Sequence, residues 1–248
     1  MGVLDDLVAR ASARAQRLRP PEHRVMPPGE PLASALRGKE ELSVIAEFKR
    51  ASPSEGEIAA RNLEEQVALY EDAGAAAVSV LTEPSRFNGS YEDLARAARA
   101  VSIPILMKDF VVDPVQVGHA ASLGASGVLL IVRCLSKAQL RELVLASKES
   151  GLTALVECHD EAEVELAISL DGVVIGVNNR NLDTLDVDTG VAPRLLARVP
   201  PDRITVAESG YATERDVRNL HGLADAVLVG TALMKHRAPQ DLIEAMRR

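Results

Sequence analysis

Ser43-Val-Ile-Ala-Glu47-Phe-Lys49 runs without a break into Arg50-Ala-Ser52-Pro53-Ser-Glu-Gly56, a short apolar stretch that closes on charge and then gives way to turn-forming residues. The pattern returns at Pro104-Ile-Leu-Met-Lys108-Asp-Phe110, Leu155-Val-Glu157, Ile175-Gly-Val-Asn178 and Val206-Ala-Glu208-Ser209-Gly210. A carboxylate or ammonium at the end of a buried strand costs several kcal/mol unless it finds a partner. Barrels of alternating strands and helices collect their strand C-termini on one face, and catalytic groups gather there. Repeated charged strand ends therefore predict one shared polar site at the mouth of such a barrel.

On either side of these stretches the alternation is regular. Short apolar runs lie at 44–49, 77–82, 105–108, 127–132, 154–157, 173–178, 204–209 and 226–230. They are unbroken, as strands buried on both faces of a parallel sheet are. Segments of helical period follow them at 63–73, 91–100, 114–123, 137–150, 161–169, 191–196, 214–220 and 239–246. Ala73-Gly74-Ala75 and Leu123-Gly124-Ala125 supply small-residue stops. Eight strand-helix units predict an α/β fold, a closed (β/α)8 TIM barrel. The rival, an open doubly wound sheet, normally carries a G-x-G-x-x-G turn after its first strand. This chain has none there.

Ahead of the barrel, residues 3–18 read as an amphipathic helix with Val3, Leu4, Leu7, Val8 and Ala11 on one stripe. Pro20-Pro21 stops it, and Met26-Pro-Pro-Gly-Glu-Pro31 keeps the chain in a loop. The expected organisation is one domain over 1–248, with an N-terminal helical extension at 1–42 and the barrel at 43–248. A chain of 248 residues, 47% hydrophobic, suits that reading, since such barrels take about 250 residues.

The formal charge of −8, the 2% aromatic content and the lack of a lysine-arginine run argue against a nucleic-acid surface. No apolar run reaches the roughly 20 residues of a membrane span, and the N-terminus lacks the apolar stretch of a signal peptide. Cys134 and Cys158 are too few and too isolated for a disulfide framework or zinc site. The expectation is a soluble cytoplasmic protein acting on a small molecule, as a monomer or weak homo-oligomer, with no nucleic-acid or membrane partner.

Gly210 and Gly230 follow the seventh and eighth expected strands, where barrels often hold phosphate on backbone N–H groups. Ser52 and Thr231 would add hydroxyl donors; either glycine alone also suits an ordinary turn. Lys49, Lys108, Glu47, Glu157 and Glu208 bring lysines and carboxylates to one mouth, where each adjusts the other's proton affinity. The residues leave three uses open: proton transfer, a Schiff base on a lysine, or a structural ion-pair network. Phe87, Phe110 and Leu182 fall just after strands two, three and six, placed to line a slot for a planar ring or to anchor loops. Asn178-Asn-Arg180-Asn181 adds amides and a guanidinium able to pair a carboxylate, with part of that asparagine cluster making a turn. His119, His159, His221 and His236 lack metal-ligand spacing and are expected in solvent, as is the face Glu161-Ala-Glu163-Val-Glu165.

Ile45-Ala-Glu47-Phe-Lys49-Arg-Ala-Ser52-Pro-Ser54, Leu81-Thr-Glu83-Pro with Phe87-Asn-Gly-Ser90, and Pro104-Ile-Leu-Met-Lys108-Asp-Phe110 resemble indole-3-glycerol-phosphate synthase. So do Leu129-Leu-Ile-Val132, Leu155-Val-Glu157, Ile175-Gly-Val-Asn178-Asn-Arg180-Asn-Leu182 and Ala207-Glu208-Ser209-Gly210, and the likeness runs from about Leu42 to Met246. The resemblance implies a lyase of tryptophan biosynthesis. It would close 1-(2-carboxyphenylamino)-1-deoxyribulose 5-phosphate to indole-3-glycerol phosphate, carbon dioxide and water, with no metal or organic cofactor. It further implies phosphate on Ser52, Gly210, Gly230 and Thr231, the ring against Phe87, Phe110 and Leu182, and the carboxylate near Lys49. Lys108 would be the general acid at the ketose carbonyl and Glu157 the base in the dehydration. Glu47, Asn178, Arg180, Glu208 and Ser209 would orient substrate and lysines.

The chain departs from the family pattern in places. Phe48 replaces an aliphatic residue or tyrosine, and strand alternation points it outward. Glu55 stands where many members carry lysine, in a loop expected to be mobile. Thr231 keeps a hydroxyl, and Tyr211 replaces an aliphatic residue with no reason visible in the sequence. Three other readings compete: another phosphate-binding barrel such as a phosphoribosylanthranilate isomerase-like enzyme, a non-catalytic binding protein on the same fold, and an engineered barrel with redirected chemistry.

Overall fold

In the computed structural model, which describes residues 2–19, 31–37 and 41–248, each of the expected apolar runs forms a strand. Among those residues eight parallel strands close on themselves: β1 (Ser43–Phe48), β2 (Ala77–Leu81), β3 (Ile105–Lys108), β4 (Gly127–Ile131), β5 (Thr153–Cys158), β6 (Val174–Asn178), β7 (Thr205–Glu208) and β8 (Ala226–Val229). The ring is sealed where β1 pairs with β8, Ser43 opposite Ala226 and Ala46 opposite Val229. On its other edge β1 pairs with β2, Ile45 opposite Ala77.

Strand alternation splits the core in two. Outward side chains such as Val44, Phe48, Val78, Ile105, Met107, Val156 and Val177 pack under the surrounding helices. Inward ones such as Ile45, Leu106, Leu129, Leu155 and Val206 fill the barrel. Phe48 is buried in the outer layer, as alternation predicts, with the Arg50 guanidinium 5.0 Å from its ring centroid. The expected stops at Gly74 and Gly124 have φ of 83° and 89°, the left-handed conformation that ends a helix most easily at glycine.

Two helices precede the barrel and serve opposite ends of it. Helix α1 (Val3–Ala15) lays Leu7 and Ala11 against the inner core, and its Val3, Leu4 and Leu7 reach the strand C-termini. Helix α2 (Leu32–Leu36) sits at the strand N-termini, where Leu32 fills the space that a side chain at Gly127 would need. The expected helix at 3–18 thus ends at Ala15. The proline stop at 20–21 and the loop at 26–30 lie outside the described residues.

Three short helices, α2, Pro84–Phe87 and Thr231–Lys235, went unread, being too brief to show a period. The segment expected as a helix at 214–220 is one α-turn, Glu214–Val217, continued as a 3-10 turn over Arg218–Leu220. No helix of the described residues is long and apolar enough to cross a membrane.

Candidate active site

The strand C-termini surround a cavity of ≈ 430 Å³, and every residue singled out above as a site candidate lines it. Glu47 and Lys49 come from the end of β1, Lys108 closes β3, Glu157 lies near the end of β5, Asn178 closes β6 and Glu208 closes β7. Gly230 follows β8, and Thr231 opens the short helix after it.

Lys108 is the hub. Its Nζ donates to Glu208 Oε2 at 2.8 Å and lies 3.4 Å from Glu157 Oε2. Lys49 Nζ pairs with Glu47 Oε1 at 2.9 Å. Burial disfavours the Lys108 ammonium, but Glu208, Glu157 and Glu47 outweigh it and hold the amine well above the ordinary lysine range. The two carboxylates beside it fare differently. Burial pushes Glu157 up, yet Lys108 and then His159 bring it well below the usual carboxylate range. Burial also raises Glu208, and Lys108 is opposed there by the charges of Glu157 and Glu47, leaving its carboxyl pushed up to about 7. The difference has a plain cause: Glu157 has cations on two sides and Glu208 on one.

Glycines make this crowding feasible. A Cβ on Gly176 would lie 2.4 Å from Glu208 Oε1, and one on Gly230 would lie 2.3 Å from Glu47 Oε1. Gly230 is therefore more than a turn residue, because β8 must pass directly behind the Glu47–Lys49 pair. After β7, Ser209 (φ 65°) and Gly210 (φ 87°) both adopt left-handed backbone, which bends the chain sharply at the rim. A non-glycine residue holds that conformation at a cost, and such positions cluster at functional sites.

At the aromatic end, Phe87, Phe110 and Leu182 share a cluster with α1 residues Val3, Leu4 and Leu7. Helix α1 is fixed there by ion pairs. Arg14 Nη2 donates to Asp109 Oδ1 at 2.5 Å and its Nη1 to Glu83 Oε1 at 3.2 Å. Asp109 also accepts from Thr82 Oγ1 and from the Phe110 backbone N–H, both at 2.8 Å. One buried carboxylate thus ties α1, the end of β2 and the Phe110 loop together.

The loops after β6 and β7 are joined by Asn179. Its Nδ2 donates to the Ser209 carbonyl and to the Tyr211 hydroxyl, each at 2.9 Å, while its Oδ1 accepts from Ala192 N–H. That explains Tyr211, whose hydroxyl reaches where an aliphatic side chain offers no acceptor. Asn181 makes the expected turn, accepting from the N–H groups of Asp183 and Thr184. Arg180 donates to the Leu185 carbonyl at 2.8 Å, which holds its guanidinium along the cavity wall. Glu55, on the antiparallel ribbon of Ala51–Ser52 with Gly56–Glu57, pairs with Lys235 at 2.5 Å across the Ser52–Thr231 end of the cavity.

The model of one protein family, indole-3-glycerol phosphate synthase, matches residues 5–246. The chain belongs to the indole-3-glycerol phosphate synthase family. It is 47% identical over 195 residues to the synthase of Deinococcus radiodurans, covering 77% of this chain and 73% of that one. To the synthase of Sulfurisphaera tokodaii it is 47% identical over 194 residues, 78% of each chain. Among solved structures it is similar to tryptophan synthase from M. tuberculosis, with a TM-score of 0.65 over 89% of this chain and 100% of that one. At 13% identity, that likeness speaks for the barrel fold alone.

Set against the family, the sequence reading overlooked the layer behind the site. His159, expected in solvent, has a side chain only 4% exposed, wedged between Glu157 and Glu163. Glu163, expected on a solvated helix face, is largely buried and accepts from Arg133 Nε at 3.1 Å. Its neighbours Glu161 and Glu165 are indeed exposed. The helix Glu161–Ile168 turns one acidic side chain inward, and the sign of it was the charge run's place directly after a site strand. His221 and His236 are exposed as expected, and His119 is half-buried edge-on to Tyr91 with ring centroids 4.8 Å apart.

Proposed function

We propose that this chain is the synthase its family name describes, a carbon-carbon lyase that closes 1-(2-carboxyphenylamino)-1-deoxyribulose 5-phosphate to indole-3-glycerol phosphate in tryptophan biosynthesis. The observation that carries this reading is Lys108, charged and held between two carboxylates on the floor of a cavity with an apolar slot at one side.

The ring carbon bearing the carboxylate attacks the ketose carbonyl carbon, and the carbonyl π pair moves onto oxygen. That oxygen takes its proton from Lys108. A high proton affinity suits the step, because the lysine stays charged until a stronger base, the forming alkoxide, appears beside it. The bond to the carboxylate then breaks, its electron pair restores the ring's aromaticity, and carbon dioxide departs. In the dehydration Glu157, ionised and beside Lys108, removes a proton from the carbon next to the ring nitrogen. The electron pair of that C–H bond becomes the new ring double bond, while the hydroxyl takes a proton from a lysine ammonium and leaves as water.

An aromatic carbon is a weak nucleophile, so the substrate must be held in a near-attack shape. Phosphate on Ser52, Gly210, Gly230 and Thr231, with the ring against Phe87, Phe110 and Leu182, fixes both ends. Lys49 sits near the substrate carboxylate, while Glu47, Asn178, Arg180, Glu208 and Ser209 orient substrate and lysines. The same reading places the enzyme in the cytoplasm as a monomer or weak homo-oligomer, with no nucleic-acid partner. It takes the chain as one domain, with the extension at 1–42 and the barrel at 43–248.

The test is indole fluorescence on mixing the purified protein with the carboxyphenylamino-deoxyribulose phosphate in excess chelator. A rising signal is expected. Substrate binding without any signal would overturn the reaction and leave the barrel standing as a binding protein.

A further inference from the structure

Glu157 and Glu208 flank Lys108 almost symmetrically. Both are 1% exposed, both approach the same Nζ, and the shorter contact, 2.8 Å against 3.4 Å, belongs to Glu208. On that contact alone Glu208 would be the better-compensated anion. What breaks the symmetry lies one layer back. His159 follows β5, and its ring folds behind Glu157 with Nε2 3.3 Å from Glu157 Oε1 and Nδ1 3.4 Å from Glu163 Oε2. Neither contact is well aligned, so the ring supports Glu157 by weak hydrogen bonding together with its charge. No ion pair other than that with Lys108 reaches Glu208 among the described residues, and its Oε1 is buried over Gly176 with no hydrogen-bond donor.

We propose that His159 is a positioning residue which, as a buried imidazolium behind Glu157, assigns the ionised, proton-accepting role to Glu157 and leaves Glu208 the carboxyl that keeps a proton.

The charges around the ring support this. From the outer wall inward they alternate: Arg133, Glu163, His159, Glu157, Lys108, Glu208. Glu163 faces the far side of the ring and its backbone-facing oxygen also accepts from the His159 N–H at 2.7 Å, so the imidazole is anchored at both ends. Arg133, which also reaches Asp160 at 3.7 Å, opposes protonation of His159 by its charge. Burial opposes it more strongly, but Glu157 and Glu163 together outweigh both and raise the imidazole to about 9. The thiols of Cys134 and Cys158 are both pushed far up by burial and stay neutral. The ring is therefore cationic through the whole physiological range.

The inference rests on the reading of Glu157 as the base, so its test carries a readout that needs no turnover. In ¹⁵N NMR of the full-length protein, the His159 ring should titrate as imidazolium with a midpoint near 9, falling in Glu157→Gln and in Glu163→Gln. A neutral His159 at pH 7, or a midpoint indifferent to both substitutions, overturns the proposal. In kinetics, His159→Gln should lower kcat with little change in KM and move the acid limb of the kcat profile upward by about one pH unit or more, the scale of losing an opposite charge at contact distance. Glu163→Gln should lower the His159 midpoint and leave the acid limb in place, because the ring is still cationic at those pH values, and its titration serves if His159→Gln does not fold. A lower melting temperature of His159→Gln with the acid limb unmoved would mean that His159 only packs, and would overturn the proposal. Normal turnover by Glu157→Gln, with the His159 titration as expected, would instead fault the assignment of the base.

Discussion

Gly176 and Glu208 contend for one small volume: a Cβ on the glycine would stand 2.4 Å from Oε1 of the carboxylate. Gly176→Ala should turn the Glu208 carboxyl off Lys108 and lower kcat by about 10²-fold, the effect of an ångström's misplacement at a reacting centre. Unchanged kcat in steady-state assays would show that the placement of Glu208 is immaterial. Lys108→Ala should lose most turnover and largely keep product affinity, read by single-turnover kinetics beside a fluorescence titration of the product. Normal turnover there would remove the assigned acid. The sequence displays Lys108, Glu157 and Glu208 openly, because a charge that ends an apolar run is conspicuous. It hides their dependence on Gly176 and His159. Gly176 touches Glu208 through the pairing of β6 with β7, which sets Asn178 opposite Glu208, and no spacing within one strand reveals that. His159 reads as an ordinary loop histidine until the turn into the next helix carries its ring back behind Glu157.

Among the elements, the strands were the most legible, since burial on both faces writes each one as a bounded apolar run. Helices of two turns or more were read with their ends a few residues long. The Pro84–Phe87 and Thr231–Lys235 turns were not, being held by a cap or a neighbour where no period can form: Glu83, for instance, accepts from the N–H groups of Ser85 and Arg86. The stripe on α1 was visible in the sequence, but its docking was not, because Arg14 reaches across 95 residues to find Asp109. That contact decides how α1 works. Asp109 and Glu83 have fully buried side chains, and Arg14 is the cation paired with both. Burial already pushes the Asp109 carboxyl up, with the Arg14 guanidinium opposing the rise. Arg14→Met should therefore cost about 3 kcal/mol, the low end for stranding a buried charge, since the guanidinium still meets solvent. It should also raise KM as Phe110 loosens. Denaturant titration checks the stability, and Asp109→Asn in the same chain should recover part of the loss. An unaltered midpoint in Arg14→Met would mean that apolar contacts alone hold the helix.

At the scale of the whole molecule, closing a barrel forces every strand end toward one mouth, and with them Glu47, Glu157 and Glu208. Glu47 has Lys49 and Glu157 has His159 as further partners, so the repulsion among the three falls on Glu208, which has Lys108 alone, and the fold carries that cost for the sake of the site. Its signature is the direction of the Glu208 shift. A carboxyl whose folded pKa is raised, here from 4.5 to about 7, binds its proton more tightly folded than unfolded. The contribution of Glu208 to stability therefore falls as pH climbs from about 4.5 through 7 and is level beyond. Glu208→Gln keeps an acceptor for Lys108 and removes the charge. It should equal the wild-type protein in melting temperature below pH 4.5, gain on it progressively up to pH 7 and hold that gain above. Turnover should be lower throughout that range, because the amide cannot give up the proton that the carboxyl keeps. The paired measurement is a set of melting curves across pH for both proteins. A gain that is constant at all pH values would come from packing, and a loss at neutral pH would mean that the Lys108–Glu208 pair stabilises the barrel more than the crowding of carboxylates weakens it. Stability gained where activity is lost would identify the convergence of strand ends, the feature that organises the fold, as the source of both the site's chemistry and its strain.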